Sequence, residues 1–207
     1  MKKLLAILAF SSLLTTTATA ETTPTGCSHP FTDVVGHWAE EEICVLYTQG
    51  VIEGYADKTF LPNSEVTRAE FLKMVLEYKG YRVYSVQSAS FTDLQPGDWY
   101  YQYVTFAHSK GFISGYSDGS FHPNESITRG EAVTLVMKEA GIIAYDTSDL
   151  FHTFTDVHES DWFAISVAAA TDKSIIQGYG DGTFRPYDQI IRAEAAVVVE
   201  HAWETLR

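Results

Sequence analysis

The sequence predicts a mainly α fold that is built from three helix–loop–helix repeats. A tryptophan, a Gly-Tyr pair and an arginine recur in the same order three times. The glycine follows the tryptophan by sixteen residues and precedes the arginine by fourteen in every copy. Because these spacings are constant, insertions fall only between copies, and each copy is one structural unit. The copies share the strings GYADKTFLPNSEVTRAEFL (54–72), GYSDGSFHPNESITRGEAV (115–133) and GYGDGTFRPYDQIIRAEAA (178–196).

The first helix of each copy is predicted to follow the tryptophan. Asp98 and Asp161 directly precede this residue in copies two and three, and we expect them to cap the helix, whereas His37 is a poorer cap in copy one. Apolar residues at helical spacing come next. We expect each first helix to end at a left-handed residue, which is Gly50, Gly111 or Ser174.

The second helix of each copy is predicted to follow a turn-rich loop. Gly119 and Gly182 occupy a turn position that needs positive φ, and Lys58 stands there in copy one. A capping box of the form T-x-x-E then precedes an apolar stripe at 67–70 and 128–131, which predicts a helix start. In copy three an isoleucine replaces the threonine. One such unit is too small to bury its own stripe, so the three must share a core.

The chain begins with features of a secretory signal peptide. A basic start, a short apolar run and an A-x-A site predict cleavage after residue 20. We expect an N-terminal segment at 21–30, repeats at 31–80, 91–141 and 154–207, and linkers at 81–90 and 142–153.

The two cysteines, Cys27 and Cys44, predict one disulfide in a secreted chain. Two unpaired thiols remain an alternative. Lipidation of Cys27 is disfavoured, because residues 24–26 read Pro-Thr-Gly and lack the apolar residue that such a site needs.

The chain is acidic, with a formal net charge of −13. This charge argues against nucleic acid as a partner and against simple adsorption to anionic lipid. An anionic ligand would have to be held by a few local cations against the field of the whole molecule.

The stretch FTDVVGHWAEEEICVLYTQGVIEGYADKTFLPNSEVTRAEFLKMV (31–75) resembles a surface-layer homology (SLH) domain, and so do the copies that begin at Phe91 and Phe154. The resemblance covers about residues 31–200. It implies that the second helices form a central three-helix bundle with pseudo-threefold symmetry. It also implies a secreted protein of the cell wall or S-layer, whose grooves between copies bind cell-wall polysaccharide, often with a pyruvyl ketal.

The resemblance implies three ligand-binding residues at each groove, namely the aspartate of Phe-Thr-Asp, the tryptophan and the capping-box arginine. Each has a structural alternative: the aspartates brace a turn, the tryptophans pack in the core, and the arginines pair with a carboxylate such as Glu70 or Glu131. The implied residues are Asp33, Trp38 and Arg68; Asp93, Trp99 and Arg129; and Asp156, Trp162 and Arg192.

Elementary physics favours the same assignment. An arginine in the first turn of a helix is poorly placed for the helix dipole, yet all three copies keep it. With the amides of the helix start it predicts an anion site, beside an indole that can stack on a sugar ring. The motif is most complete in copy two, so we expect unequal grooves.

Other classes of function fit the sequence less well. The histidines do not fall at equivalent positions in the copies, which argues against a repeated metal or general-base site. We therefore expect no enzyme, cofactor or metal. A protein–protein adaptor stays open as the alternative, with Tyr81, Tyr84 and Tyr145 as contacts, and so does a separate surface protein as cargo.

Overall fold

The computed structural model describes residues 27–86, 91–143 and 153–206. The predicted signal peptide, residues 87–90 of the first predicted linker and residues 144–152 of the second lie outside the described residues. The predicted contact Tyr145 is among them. The described part is helical, with two helices in each copy and only isolated β-bridges, which confirms the mainly α prediction. The helices are α1 (Glu40–Thr48), α2 (Arg68–Tyr78), α3 (Tyr101–Ser109), α4 (Arg129–Glu139), α5 (Ala164–Asp172) and α6 (Arg192–Thr205).

The first helices begin two residues after each tryptophan, so the prediction that Asp98 and Asp161 cap them is wrong. A turn separates these aspartates from the helix start. Their carboxylates instead accept the backbone amides of Gln95 and His158, three residues upstream, at 2.8 Å each. The predicted left-handed ends are confirmed, with φ of 73° at Gly50, 76° at Gly111 and 58° at Ser174.

The second helices α2 and α4 begin with complete capping boxes, as predicted. The hydroxyls of Thr67 and Thr128 accept the N3 amides, and the N3 glutamates accept the cap amides in return. Ile191 has no side-chain oxygen, so α6 keeps only the second of these bonds, from the Ile191 amide to Glu194.

The loop between the helices closes on the phenylalanine of Phe-Thr-Asp. A Cβ at Gly54 would collide with the Phe31 ring, and the same contact recurs in the other copies. Only glycine therefore fits before the loop tyrosine. The tight turn that follows has positive φ at Lys58, Gly119 and Gly182, as predicted.

The three copies interlock through their helices. Helices α2, α4 and α6 contact one another pairwise. Helix α1 packs on α6, α3 on α2 and α5 on α4, so each first helix packs on the second helix of another copy. The buried apolar residues of all three copies form one continuous core.

A closed ring of backbone hydrogen bonds joins the copies just before the second helices. The Val66 amide donates to Ile190, the Ile190 amide to Ile127, and the Ile127 amide to Val66, at 3.0–3.2 Å. These cyclic contacts support the predicted pseudo-threefold arrangement, which as a symmetry stays a prediction.

The N-terminal segment is joined to α1 by a disulfide between Cys27 and Cys44. The disulfide prediction is confirmed, and the alternatives of free thiols or a lipidated Cys27 do not hold. No helix within the described ranges is long and apolar enough to cross a membrane.

Candidate functional site

Three surface clefts lie between the copies, and each is lined by residues from all three. We name them cleft A, cleft B and cleft C, with volumes of about 230, 340 and 240 Å³. In each, one copy supplies most of the wall, a second supplies the arginine and the third supplies the tryptophan. Cleft A contains Arg68, Tyr116, Glu131 and Trp162; cleft B contains Arg129, Tyr179, Glu194 and Trp38; and cleft C contains Arg192, Glu53, Glu70 and Trp99.

The cleft tryptophans are exposed. Trp38 is 62% exposed, Trp99 49% and Trp162 58%, whereas the residue after each of them is buried. Each tryptophan lies in the turn that precedes its first helix, which directs the indole outward and the next side chain into the core. The alternative that these tryptophans only pack in the core is therefore wrong.

Arg68 reaches from the start of α2 into the wall of the next copy. Its Nε donates to the carbonyl of Phe121 at 2.8 Å, and its Nη1 lies 2.8 Å from Glu131 Oε1. The guanidinium also lies over the Tyr116 ring, 4.7 Å from its centroid. The predicted alternative of a carboxylate partner thus holds for Arg68, and the carboxylate belongs to the neighbouring copy.

Arg129 repeats this arrangement in cleft B. Its Nε donates to the carbonyl of Phe184 at 3.0 Å, and its Nη1 lies 3.0 Å from Glu194 Oε1. Tyr179 donates its hydroxyl to the same carboxylate oxygen at 2.9 Å. Arg129 is 7% exposed, so the ion pair is largely shielded from water.

Arg192 differs from the other two arginines. Its Nε donates to the carbonyl of Phe60 at 2.8 Å and its Nη2 to that of Glu53 at 3.3 Å. Within the described residues it has no carboxylate within ion-pair distance. Cleft C therefore holds a half-buried guanidinium whose charge is not neutralised by a direct partner.

The first amides of the second helices are not free to bind an anion. The Arg68 amide donates to Glu125 and the Ala69 amide to Pro123, and α4 and α6 make the equivalent bonds to the next copy. The helix start therefore anchors one copy to another. The part of the sequence argument that relied on free amides is wrong, and the arginine side chain is what remains for a ligand.

The aspartates of Phe-Thr-Asp do not line the three clefts. Both oxygens of Asp33 accept backbone amides, from Phe60 and Leu61 at 2.8 Å, and Asp93 and Asp156 do the same in their copies. The alternative that these aspartates brace a turn thus describes their contacts. The clamped phenylalanine presents the carbonyl that holds a cleft arginine, so each aspartate fixes the position of an arginine indirectly.

The shared carboxylate in cleft A stays ionised. Burial alone would raise the pKa of Glu131, but the hydrogen bond from Tyr116 and the charge of Arg68 outweigh it, and the pKa is lowered. Burial, together with the bond to Glu131, raises the pKa of Tyr116 to about 12. The tyrosine therefore stays protonated and donates a hydrogen bond to Glu131, whose charge neutralises Arg68.

Sequence reasoning missed several polar residues of the clefts. Thr134 and Lys138 line cleft A, and Glu42 and His201 line cleft B. An alignment of the copies could have found Lys138 and His201, because the position nine residues after the cleft arginine differs in charge among the copies and is a glutamate, Glu77, in copy one. No group of three or more acidic, histidine or cysteine side chains in the described segments could hold a metal ion.

Comparison with known proteins identifies the repeats. The family model of the S-layer homology domain matches residues 30–72, 90–133 and 153–196. The chain is 35% identical over 173 residues to an amylopullulanase of Thermoanaerobacterium thermosulfurigenes, which covers 82% of this chain and 9% of that protein.

Two further relatives differ in kind. A cellulosome-anchoring protein of Acetivibrio thermocellus is 31% identical over 74% of this chain and 35% of its own length. A surface layer protein of Brevibacillus choshinensis is 36% identical over 44% of this chain and 9% of its own length. The chain thus spans a minor part of these relatives. The matches over all three repeats show that the chain belongs to the S-layer homology (SLH) domain family.

Proposed function

We propose that this chain is a non-catalytic module that attaches to secondary cell-wall polysaccharide through its inter-copy clefts. The observation that carries the proposal is that each cleft combines an exposed indole from one copy with a guanidinium from another. We infer that the ligand is an anionic sugar, such as one with a pyruvyl ketal.

The chemistry of the clefts suits a carbohydrate. An indole presents a flat apolar face that can cover the C–H groups of a sugar ring while its edge remains in water. Guanidinium and carboxylate groups in the same cleft can donate to and accept from ring hydroxyls. The Phe-Thr-Asp aspartates act in this proposal by holding the loop, and the tryptophans and arginines contact the sugar.

The relatives support a binding role rather than catalysis. Two of them are named for anchoring or for a surface layer. The enzyme-named relatives match over a small share of their length, 9% for the amylopullulanase and 16% for an exoglucanase of Acetivibrio thermocellus. The shared segment is the SLH segment, so we propose location at the cell surface and no activity of its own.

Co-sedimentation with purified sacculi tests the proposal. We expect the protein to pellet with intact sacculi and to stay in the supernatant after the attached polysaccharide has been stripped. Binding should survive a chelator, since no group of side chains among the described residues could hold a metal ion. Full retention on bare peptidoglycan would contradict the proposal. Retention only when wall proteins are left in place would favour the adaptor alternative.

A further inference from the structure

Cleft A differs from the other two in the balance of charge among its described lining residues. Its cations outnumber its carboxylates, whereas the two are equal in cleft C and the carboxylates are in excess in cleft B when His201 is neutral. The charged lining residues are Arg68, Lys138 and Glu131 in cleft A; Arg129, His201, Glu42 and Glu194 in cleft B; and Arg192, Lys73, Glu53 and Glu70 in cleft C.

Lys138 provides the excess charge of cleft A. Glu131 is already occupied, because it accepts from Arg68, Tyr116 and the Thr128 amide. Lys138 is exposed and has no ion pair within the described part of the chain. In a protein with a net charge of −13, such a local cation decides whether an anion can approach.

Thr134 gives a second and independent indication of a ligand. Its side chain lines cleft A and is 7% exposed, and its Oγ1 is buried without a hydrogen-bond partner in the described residues. Buried hydroxyls normally have a partner, and a rotation about χ1 of Thr134 would turn this one toward a ligand atom in the cleft. The equivalent residues of the other copies, Lys73 and Val197, have no hydroxyl.

We propose that cleft A is the carboxylate-selective subsite of this module, with Lys138 and Thr134 as its specificity-determining residues. The inference rests on the proposed function. Lys138 neutralises the carboxylate of the acidic sugar, and Thr134 donates a hydrogen bond to it. The Arg68–Glu131 pair, which is neutral as a unit, contacts sugar hydroxyls. Clefts B and C take uncharged parts of the polysaccharide.

A matched pair of glycans isolates the carboxylate. Short fragments of the wall polysaccharide are titrated by calorimetry before and after mild acid treatment, which hydrolyses ketals and removes their carboxylates. Short fragments are needed because a long chain would bridge several clefts and mask the loss of one. The variants are Lys138→Gln and Thr134→Val in cleft A. The matched control is Lys110→Gln, at an exposed lysine that lines none of the three clefts.

We expect Lys138→Gln to weaken binding of the untreated fragment about tenfold and to leave binding of the treated fragment within about twofold. Thr134→Val should weaken the untreated fragment roughly fivefold without lowering the melting temperature, because no internal hydrogen bond is lost. If the hydroxyl had only a structural role, Thr134→Val would lower the melting temperature and leave binding unchanged. The Lys110→Gln control should bind both fragments like the parent.

Different results would contradict the further inference and the proposed function. If Lys138→Gln binds both fragments like the parent, or weakens both equally, cleft A does not select a carboxylate. If the untreated fragments that bind the parent contain no carboxylate, the inference and the proposal of an anionic sugar both fail, while attachment to wall polysaccharide still stands. If the parent binds neither fragment, the proposed function itself fails.

Discussion

Arg129 and Arg192 hold the same place in the repeated motif, but their side chains meet different neighbours. The Nε of each donates to the carbonyl of a loop phenylalanine in the next copy. The Nη2 of each also donates to the carbonyl that precedes the loop glycine, of Gln177 or Glu53. Arg129 in addition pairs with Glu194 at 3.0 Å, whereas Arg192 has no carboxylate within ion-pair distance among the described residues. The motif therefore fixes the position of the arginine side chain, and the residues of the neighbouring copy determine whether its charge is neutralised.

This difference separates the structural from the binding role of the arginines. A guanidinium that is buried and paired mainly holds two copies together, while an unpaired one keeps N–H donors for the hydroxyls of a ligand. Arg68 and Arg129 belong to the first kind, and Arg192 is nearer to the second. The copies are thus equivalent in backbone and unequal in electrostatics.

The largest expected effect is on stability. Arg129→Ala should lower the free energy of unfolding by about 3 kcal/mol, because it leaves Glu194 partly buried without its cation. Arg192→Ala should cost about 1–2 kcal/mol, since it removes only hydrogen bonds to carbonyls. Urea unfolding of the two variants measures both values.

Arg68→Ala is the control, since Arg68 is paired in the same way as Arg129, and it should resemble Arg129→Ala. If Arg129→Ala and Arg192→Ala lowered the free energy of unfolding equally, the ion pair would add nothing to the stability that the other contacts of the arginine provide.

A double-mutant cycle sharpens the comparison. The coupling between Arg129→Ala and Glu194→Gln should be about 1–2 kcal/mol, because the two side chains are in direct contact. The same cycle on Arg192 and Glu70, which form no ion pair, should give a coupling within about 0.5 kcal/mol of zero. A coupling of similar size in the two clefts would contradict the difference described above.

The smallest expected effect is a pH dependence confined to cleft B. The hydrogen bond to Glu42 raises the pKa of His201 above its usual value, and the nearby Glu200 contributes in the same direction. A raised pKa means that the stabilisation is complete below about pH 6.5 and is lost as pH rises through the folded-state pKa. Because His201 is 37% exposed, the loss between pH 6 and 8 should stay below about 1 kcal/mol.

His201→Gln isolates this contribution. Its free energy of unfolding should fall less than that of the parent between pH 6 and 8, and the difference between the two proteins removes the contribution of other histidines. A parent and a variant with parallel pH profiles would contradict the assignment.

Much of the fold could be predicted because its signals are local. The boxes at Thr67 and Thr128 and the left-handed ends at Gly50 and Gly111 depend only on residues within one turn of the chain. The predicted helix caps at Asp98 and Asp161 were wrong because they too rested only on local signals. Two residues in a turn stand between each aspartate and its helix, and no local signal distinguishes this turn from the helix itself.

The site was less predictable because it forms between copies. The sequence identified the tryptophans and arginines as a repeated set, but it could not show that one cleft takes Arg68 and Trp162 from different copies. Lys138 and Thr134 lie outside the repeated motif, so a search for shared residues passes over them. The completeness of the motif predicted that copy two forms the best binding groove. The charge balance instead favours cleft A, which contains Arg68, as the cleft that binds a carboxylate.

The central claim is that the exposed indoles of the three clefts bind wall polysaccharide. Its most direct test is a calorimetric titration of purified polysaccharide into the triple variant Trp38→Ala, Trp99→Ala, Trp162→Ala. The indoles are exposed, so the variant should keep the circular dichroism spectrum and melting temperature of the parent. The account predicts that its affinity falls at least about fiftyfold, since each lost stacking contact weakens binding severalfold. An affinity equal to that of the parent, in a folded variant, would contradict it.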